Sequence, residues 1–356
     1  MKLLIASAID TNPYVNTLVN EIKRTDNSIT IDKGTDMFWS DSATQYEIIH
    51  IMWPEELIYA LDWRTQTKTI QSLSDRLSFL RNNNVKIVCT CHDMQPHHWQ
   101  NEPRHRYDCK CEAYKIVHSH SDMIIHLGAK SQIEFTKSHP QTKNIIIPHQ
   151  TYEELYEVEE KNISKTEYNI ICIGQVRNHK EQKLINDLAS ACSDLPVKIK
   201  APSMYASRRV LCSLPVLMNL VRSIFIRTFK RNLKFGFRRF IKDDEINKLF
   251  NHAQIGFIQR VKINNSGNLP LNMLFGNVVI GPNDGNVGYW LKETGNVAFD
   301  VSKNPINLRI AVEKAISLVD SHKGEENRIY ALKNWNTHKI GIMHINAYKN
   351  LLDANV

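Results

Sequence analysis

The stretch NIICIGQVRNHKEQKLI, residues 169–185, decides the reading of the chain. Its apolar, Ile-rich run ends at Ile173, Gly174 follows, and a helical pattern runs from Glu181 to Ser193. Strand, glycine turn and helix in that order are the repeating unit of a parallel sheet with crossover helices. Gly174 allows a close backbone approach. Arg177 and Lys180 fall at or beside the helix N-terminus, where two cations and the positive helix end suit a diphosphate group.

The same alternation extends in both directions. Upstream, KLLIAS, YEIIHIM, KIVCTC, DMIIHL and NIIIP read as short strands, separated by amphipathic stretches such as Pro13–Lys23 and Thr67–Asn82. Downstream come PVKIKA, LKFGFRRF, a helix over Asp243–His252, QIGFIQ, NVVIG and NVAFD. The acidic run EELYEVEEK, Glu153–Lys161, has neither periodicity and reads as a linker. Two tandem α/β domains follow, consistent with a length of 356 residues and 42% apolar composition.

Charge narrows the function classes. Residues 1–160 hold 16 basic and 22 acidic side chains, a net of −6, so residues 161–356 carry +14 and the total is +8. Residues 195–242 contain 12 Lys and Arg and no acid, which marks one local patch rather than a protein that coats nucleic acid. The opening MKLLIASAID reads as too short for a signal peptide. Val210–Val221 is 12 residues interrupted by Pro215, well under the roughly 20 that span a bilayer. Seven cysteines without a secretion signal suit reduced thiols in a cytoplasmic protein.

Ligands of parallel sheets sit beyond the carboxyl ends of the strands. The residues at those positions are Asn12, Tyr14, His50, Trp53, Glu55, His92, His149, Gly174, Arg177, Lys180, Asn265, Ser266 and Gly267. His92 can act as a base or bind a sugar hydroxyl, and the Trp53 face is a platform for a sugar ring. Ser266 can cap the helix that starts after it and leave amides for an anion. Cys89, Cys91, His92, Cys109 and Cys111, with His97, His98 and His105 nearby, do not have the spacing of a structural zinc site. Cys89 and Cys91 also lie in a strand expected to be buried. Neither a dinucleotide glycine motif nor a P-loop occurs, and no Asp-x-Asp is present to hold a divalent cation. No metal and no bound cofactor are therefore expected; phosphate would be met by fixed cations and backbone amides.

Taken in order, NPY (12–14), HIMWPE (50–55), TCHD (90–93), SDMIIHLGAKS (121–131), IIIPHQTY (145–152), GQVRNHK (174–180), FIKDDEINKLFNHAQIGFI (240–258) and NSGNLPLNMLFGNVVIGP (265–282) resemble bacterial glycosyltransferases of the GT-B fold. The likeness is to the family 4 (group 1) enzymes of capsule, O-antigen and exopolysaccharide synthesis. It implies two Rossmann-like domains facing across a cleft: an acceptor-side domain over 1–155, a nucleotide-sugar domain over 165–335, and a C-terminal helix over 336–356 returning to the first domain. It further implies that Arg177 and Lys180 hold the diphosphate of a nucleotide diphosphate sugar and that Ser266 and Gly267 approach the phosphates or sugar. A retaining hexosyl transfer to a lipid-linked or oligosaccharide acceptor would follow. One departure stands out: the two glutamates spaced by seven residues in many members have no counterpart in IQRVKINNSGNLPLNMLFG.

The interleaved cations and apolar residues of Arg208–Arg239 read as an amphipathic segment lying on an anionic membrane, held electrostatically and therefore salt-sensitive. That places the protein peripherally on the inner face of the cell membrane. The rival expectations are a nucleotide-sugar epimerase of the same fold, and a non-catalytic membrane-surface protein binding glycan or nucleic acid.

Overall fold

The computed structural model describes residues 1–8, 12–59, 61, 66–96, 102–161, 166–206, 213–238, 240–303 and 305–353. His97, His98, Arg208, Arg209 and Arg239 lie outside the described residues. The chain divides into two compact units, one drawn from 1–98, 102–150 and 336–356 and the other from 151–335.

The first unit contains β1 (Lys2–Ala6), β2 (Thr30–Lys33), β3 (Ile48–Ile51), β4 (Lys86–Cys91), β5 (Met123–His126) and β6 (Lys143–Ile146), ordered β2-β1-β3-β4-β5-β6 with every pairing parallel. Its helices are α1 (Pro13–Thr25), α2 (Thr35–Trp39), α3 (Gln66–Asn82), α4 (Arg104–His120) and α5 (Ala129–Ser138). Strands covered on both faces need continuous apolar runs, and β3 and β5 are buried at every position. Cys89 and Cys91 sit two apart in β4, both in the apolar core with Leu4, Ile49 and Phe135, where burial pushes both thiols up. Tyr348 from the C-terminal helix (Thr337–Asp353) reaches His50 Nδ1 at 2.7 Å, and His338 reaches Glu21 of α1 at 2.6 Å.

The second unit contains β7 (Tyr168–Ile171), β8 (Val197–Ala201), β9 (Leu233–Phe235), β10 (Ile255–Phe257), β11 (Val278–Pro282) and β12 (Val297–Phe299). They are ordered β12-β11-β10-β7-β8-β9, again all parallel. Its helices are α6 (His179–Ala191), α7 (Leu214–Phe225), α8 (Asp243–Asn251), α9 (Asn268–Leu274), α10 (Gly285–Glu293), α11 (Ile306–Asp320) and α12 (Lys323–Asn334); the helix Thr337–Asp353 is α13. Gly256 is required by packing: a Cβ there would stand 1.9 Å from Asn272 Oδ1, so α9 lies directly on β10. This is the expected α/β fold with two Rossmann-like sheets.

Three local expectations are corrected. The strand read over LKFGFRRF ends at Phe235, because its partner β8 ends at Ala201 and leaves no ladder to continue. Helix α6 starts at His179 rather than Glu181, since Asn178 caps it by accepting from the amides of Lys180 and Glu181. The acidic run is irregular but is no loose tether, because it is tied to the second unit. Asn251 bonds Glu159 N and Glu157 O, and Lys161 Nζ donates to Phe250 O, Ala253 O and Asn277 Oδ1. Burial pushes the Lys161 ammonium down to about 7.

Candidate functional site

Each sheet has one place where the strand order reverses, and loops leaving adjacent strands in opposite directions open a crevice there. In the second unit that place lies between β7 and β10. Gly174, in the turn just after β7 ends at Ile171, adopts φ +103°, a left-handed conformation that favours glycine.

Around this turn the structure brings together both segments expected to meet an anion. Asn268 Nδ2 donates to Ile173 O at 2.7 Å, tying the start of α9 to the glycine turn. Gln259 Nε2 donates to Ile173 O at 2.9 Å and to Gly174 O at 3.0 Å. Arg260 follows from the end of β10 and donates to Gln175 O at 2.9 Å and Glu181 Oε2 at 2.8 Å. Glu181 Oε2 also accepts the Arg177 amide at 2.7 Å. The Arg260–Glu181 pair is nearly closed to water, with side chains 11% and 4% exposed.

Side chains already occupy part of this loop. Three amides of the loop are already taken, those of Lys180 and Glu181 by Asn178 and that of Arg177 by Glu181. Lys180 is exposed and Arg177 half-buried. In the second segment, Ser266 Oγ accepts the Asn268 amide at 3.3 Å, Gly267 is the boundary residue of α9, and Asn265 Oδ1 accepts from Asn286 Nδ2 at 2.9 Å. Gln259, Arg260 and Asn268 were missed by reading the sequence. The available signal was the position of Arg260, directly after the strand read over QIGFIQ, where the other candidates were found; Gln259 was read as the last residue of that strand.

In the first unit the order reverses between β1 and β3. There Glu56 Oε2 accepts from Ser7 Oγ at 3.0 Å and Ala8 N at 2.7 Å, bridging the segments that follow both strands. Burial raises the Glu56 carboxyl above its ordinary value. The neighbouring Glu55, expected on the acceptor side, is buried beside Tyr114; burial raises its pKa, and Tyr114 and Lys110 oppose the rise. Asn12 caps α1 by accepting from Tyr14 N at 3.0 Å.

Four expected residues form an aromatic cluster beyond the strand ends. The His92 ring stacks on Trp53 at 4.5 Å and meets the Tyr14 edge at 4.9 Å, and Tyr14 lies 4.7 Å from His149. One Trp53 face is thus covered by His92 rather than open to a sugar. Burial pushes His149 down to about 4, so it is neutral near pH 7. His50 is a core residue: Tyr348 Oη and Thr90 Oγ1 each stand 2.7 Å from one of its ring nitrogens, and burial holds it well below its usual pKa. Among the described residues, no group of three or more His, Cys, Asp or Glu is placed to hold a metal ion.

No protein-family model and no curated protein matches the sequence. Solved structures do match over nearly the whole chain. Sucrose-phosphate synthase from Thermosynechococcus elongatus superposes with a TM-score of 0.72 at 12% identity, covering 99% of this chain and 100% of that one. HepE from Anabaena in complex with UDP-glucose gives 0.67 at 12% identity, covering 98% and 100%. The UDP-forming α,α-trehalose-phosphate synthase from Burkholderia vietnamiensis gives 0.65 at 9% identity, covering 99% and 98%. At these identities the likeness is one of fold: the chain has the GT-B architecture of these proteins.

Proposed function

We propose that the protein is a glycosyltransferase that moves a hexose from a nucleotide diphosphate sugar to a glycan acceptor. The observation that carries this reading is the turn after β7, where left-handed Gly174 is bonded to the start of α9 through Asn268, and the buried Arg260–Glu181 pair holds the loop that carries Arg177 and Lys180. UDP-glucose is the first donor to test, because HepE is described with it.

In this reading Arg177 and Lys180 bind the diphosphate and stabilise the charge it gains as the anomeric carbon–oxygen bond breaks. The acceptor hydroxyl oxygen forms the new bond to that carbon, its proton is released, and the nucleoside diphosphate departs. His92 handles the acceptor proton or positions the sugar. The segment 258–276 has no paired glutamates, and Ser266 and Asn268 are polar side chains it offers in their place. We take the transfer to be retaining, as in the enzymes the sequence resembles, and to need neither metal nor bound cofactor. The acceptor is lipid-linked, in surface polysaccharide synthesis, and the protein works peripherally on the inner face of the cell membrane through residues 195–242.

The test is transfer from labelled UDP-glucose and other nucleotide sugars, with and without membrane extract, in excess EDTA. Product that needs the extract and survives EDTA supports the proposal. Epimerised donor without acceptor, or no turnover of any nucleotide sugar, refutes it.

A further inference from the structure

Helix α7 is packed with its polar side inward. Asn219 and Ser223 are buried with Val216, Leu220 packs against the core, and the other large apolar side chains of the same helix face out. Asn219 Nδ2 donates to His179 O at 2.9 Å, Asn186 Nδ2 donates to Asn219 O at 3.0 Å, and Ser223 Oγ donates to Asn186 Oδ1 at 2.7 Å. Arg222 bonds Asp187 at 2.7 Å. These bonds fix the rotation of the helix, so its outward face is set by specific partners. That face carries Leu214, Leu217, Met218, Val221, Ile224 and Phe225, continued by Phe229, which is 70% exposed. A contiguous apolar patch of this kind marks an interaction surface.

The charge beside it is smaller than the sequence count of the segment. Lys198 pairs with Glu167, Arg222 with Asp187 and Arg238 with Glu245, and Lys230 is bonded to Ser190 O and Ser193 Oγ. Arg227, Arg231 and Lys234, which follow the helix in the chain, are exposed. An exposed apolar face followed in the chain by exposed cations matches the acyl–headgroup boundary of an anionic bilayer. A second copy of this chain fits worse, because a two-fold contact would press the same cations together.

We infer that the outward face of α7 inserts into the membrane interface, with Arg227, Arg231 and Lys234 at headgroup level, so that apolar burial rather than charge alone holds the protein there. This rests on the peripheral-membrane part of the proposed function and deepens it. Helix α7 is tied to the first turn of α6 through Asn219 Nδ2 and His179 O, so the inserting helix is bonded directly to the stretch that carries Arg177 and Lys180.

The experiment is co-sedimentation of the full chain with phosphatidylcholine vesicles, with and without one-quarter phosphatidylglycerol, at about 0.1 M and 1 M NaCl. At the higher salt the Debye length is about 3 Å, which removes most surface electrostatics. The expected result is binding to anionic vesicles that persists at high salt. Leu217→Asp, Val221→Asp and Phe225→Asp together should lower high-salt binding about 100-fold or more, with melting temperature unchanged, since each buried large side chain is worth about tenfold. Arg227→Glu, Arg231→Glu and Lys234→Glu should remove only the preference for anionic lipid. Wild-type binding at low salt alone, unaffected by the aspartates, overturns insertion and leaves an electrostatic membrane contact standing. No vesicle binding at all overturns insertion together with the membrane part of the proposed function, whereas sugar transfer is scored separately with soluble acceptors. A solution dimer that the aspartates dissociate assigns the face to a second copy and overturns the inference.

Discussion

Replacing Glu181 with Gln tests whether the crevice between β7 and β10 is held by its buried ion pair. Glu181 Oε2 receives Arg260 at 2.8 Å and the Arg177 amide at 2.7 Å, and both charged side chains of the pair are almost fully enclosed. The amide of Gln preserves size and can still accept one of these bonds, but it leaves the Arg260 guanidinium without this counter-charge. Breaking a buried pair from one side costs about 3–5 kcal/mol. The Gln175 carbonyl, 2.9 Å from Arg260, keeps part of its solvation, so the expected loss is about 3 kcal/mol. For a unit of this size that corresponds to a fall of roughly 6–12 °C in melting temperature. Arg260→Met with Glu181→Gln should recover part of the loss, because no isolated charge then remains buried. The assay is urea unfolding of each variant with a UDP thermal-shift series. A Glu181→Gln protein within about 0.5 kcal/mol of wild type, binding UDP equally well, would refute the argument.

Arg177→Ala and Lys180→Ala should each weaken nucleotide binding about tenfold or more by calorimetry, because a charge-assisted bond is worth about 1.5–3 kcal/mol, while stability barely changes; full affinity in the double variant removes them from the site. His92→Ala should lower turnover about 10²–10⁴-fold with nucleotide affinity retained, and an active variant leaves proton handling without support. Acid should destabilise the first unit: burial lowers His118 and His126 to about 4 from 6.5, so the unfolded chain binds more protons than the folded one between those values. Their contribution is complete above about pH 7 and falls by about 1.5 kcal/mol each between about pH 6.5 and 5, which urea melts at the two pH values would show or deny.

The alternation of apolar runs and helical patterns was legible in the sequence because parallel strands buried on both faces must be mostly apolar, as β11 is throughout and as β3 and β5 are apart from one buried histidine each. The positions after the strands were legible to within a few residues, since an apolar run marks a strand even where it outlasts it, as at β7, whose run continues to Ile173 while the strand ends at Ile171. Gly174, Arg177 and the Asn265–Gly267 turn were found in this way. Which strands are neighbours was not, because pairing joins residues far apart in the chain: β7 lies against β10, and only that adjacency reveals Arg260 and Gln259 as partners of the glycine turn. The direction of a side chain was equally hidden. Glu55 and Glu56 are adjacent, yet one is buried beside Tyr114 and the other clamps Ser7 and Ala8. Composition showed that residues 195–242 are basic and apolar. It could not show that Asp187, Glu167 and Glu245 from outside the segment neutralise part of that charge, or that Asn219 and Ser223 turn the apolar face of α7 outward. Local pattern is set by the residues themselves, whereas rotation and charge balance are set by partners that only the folded chain supplies.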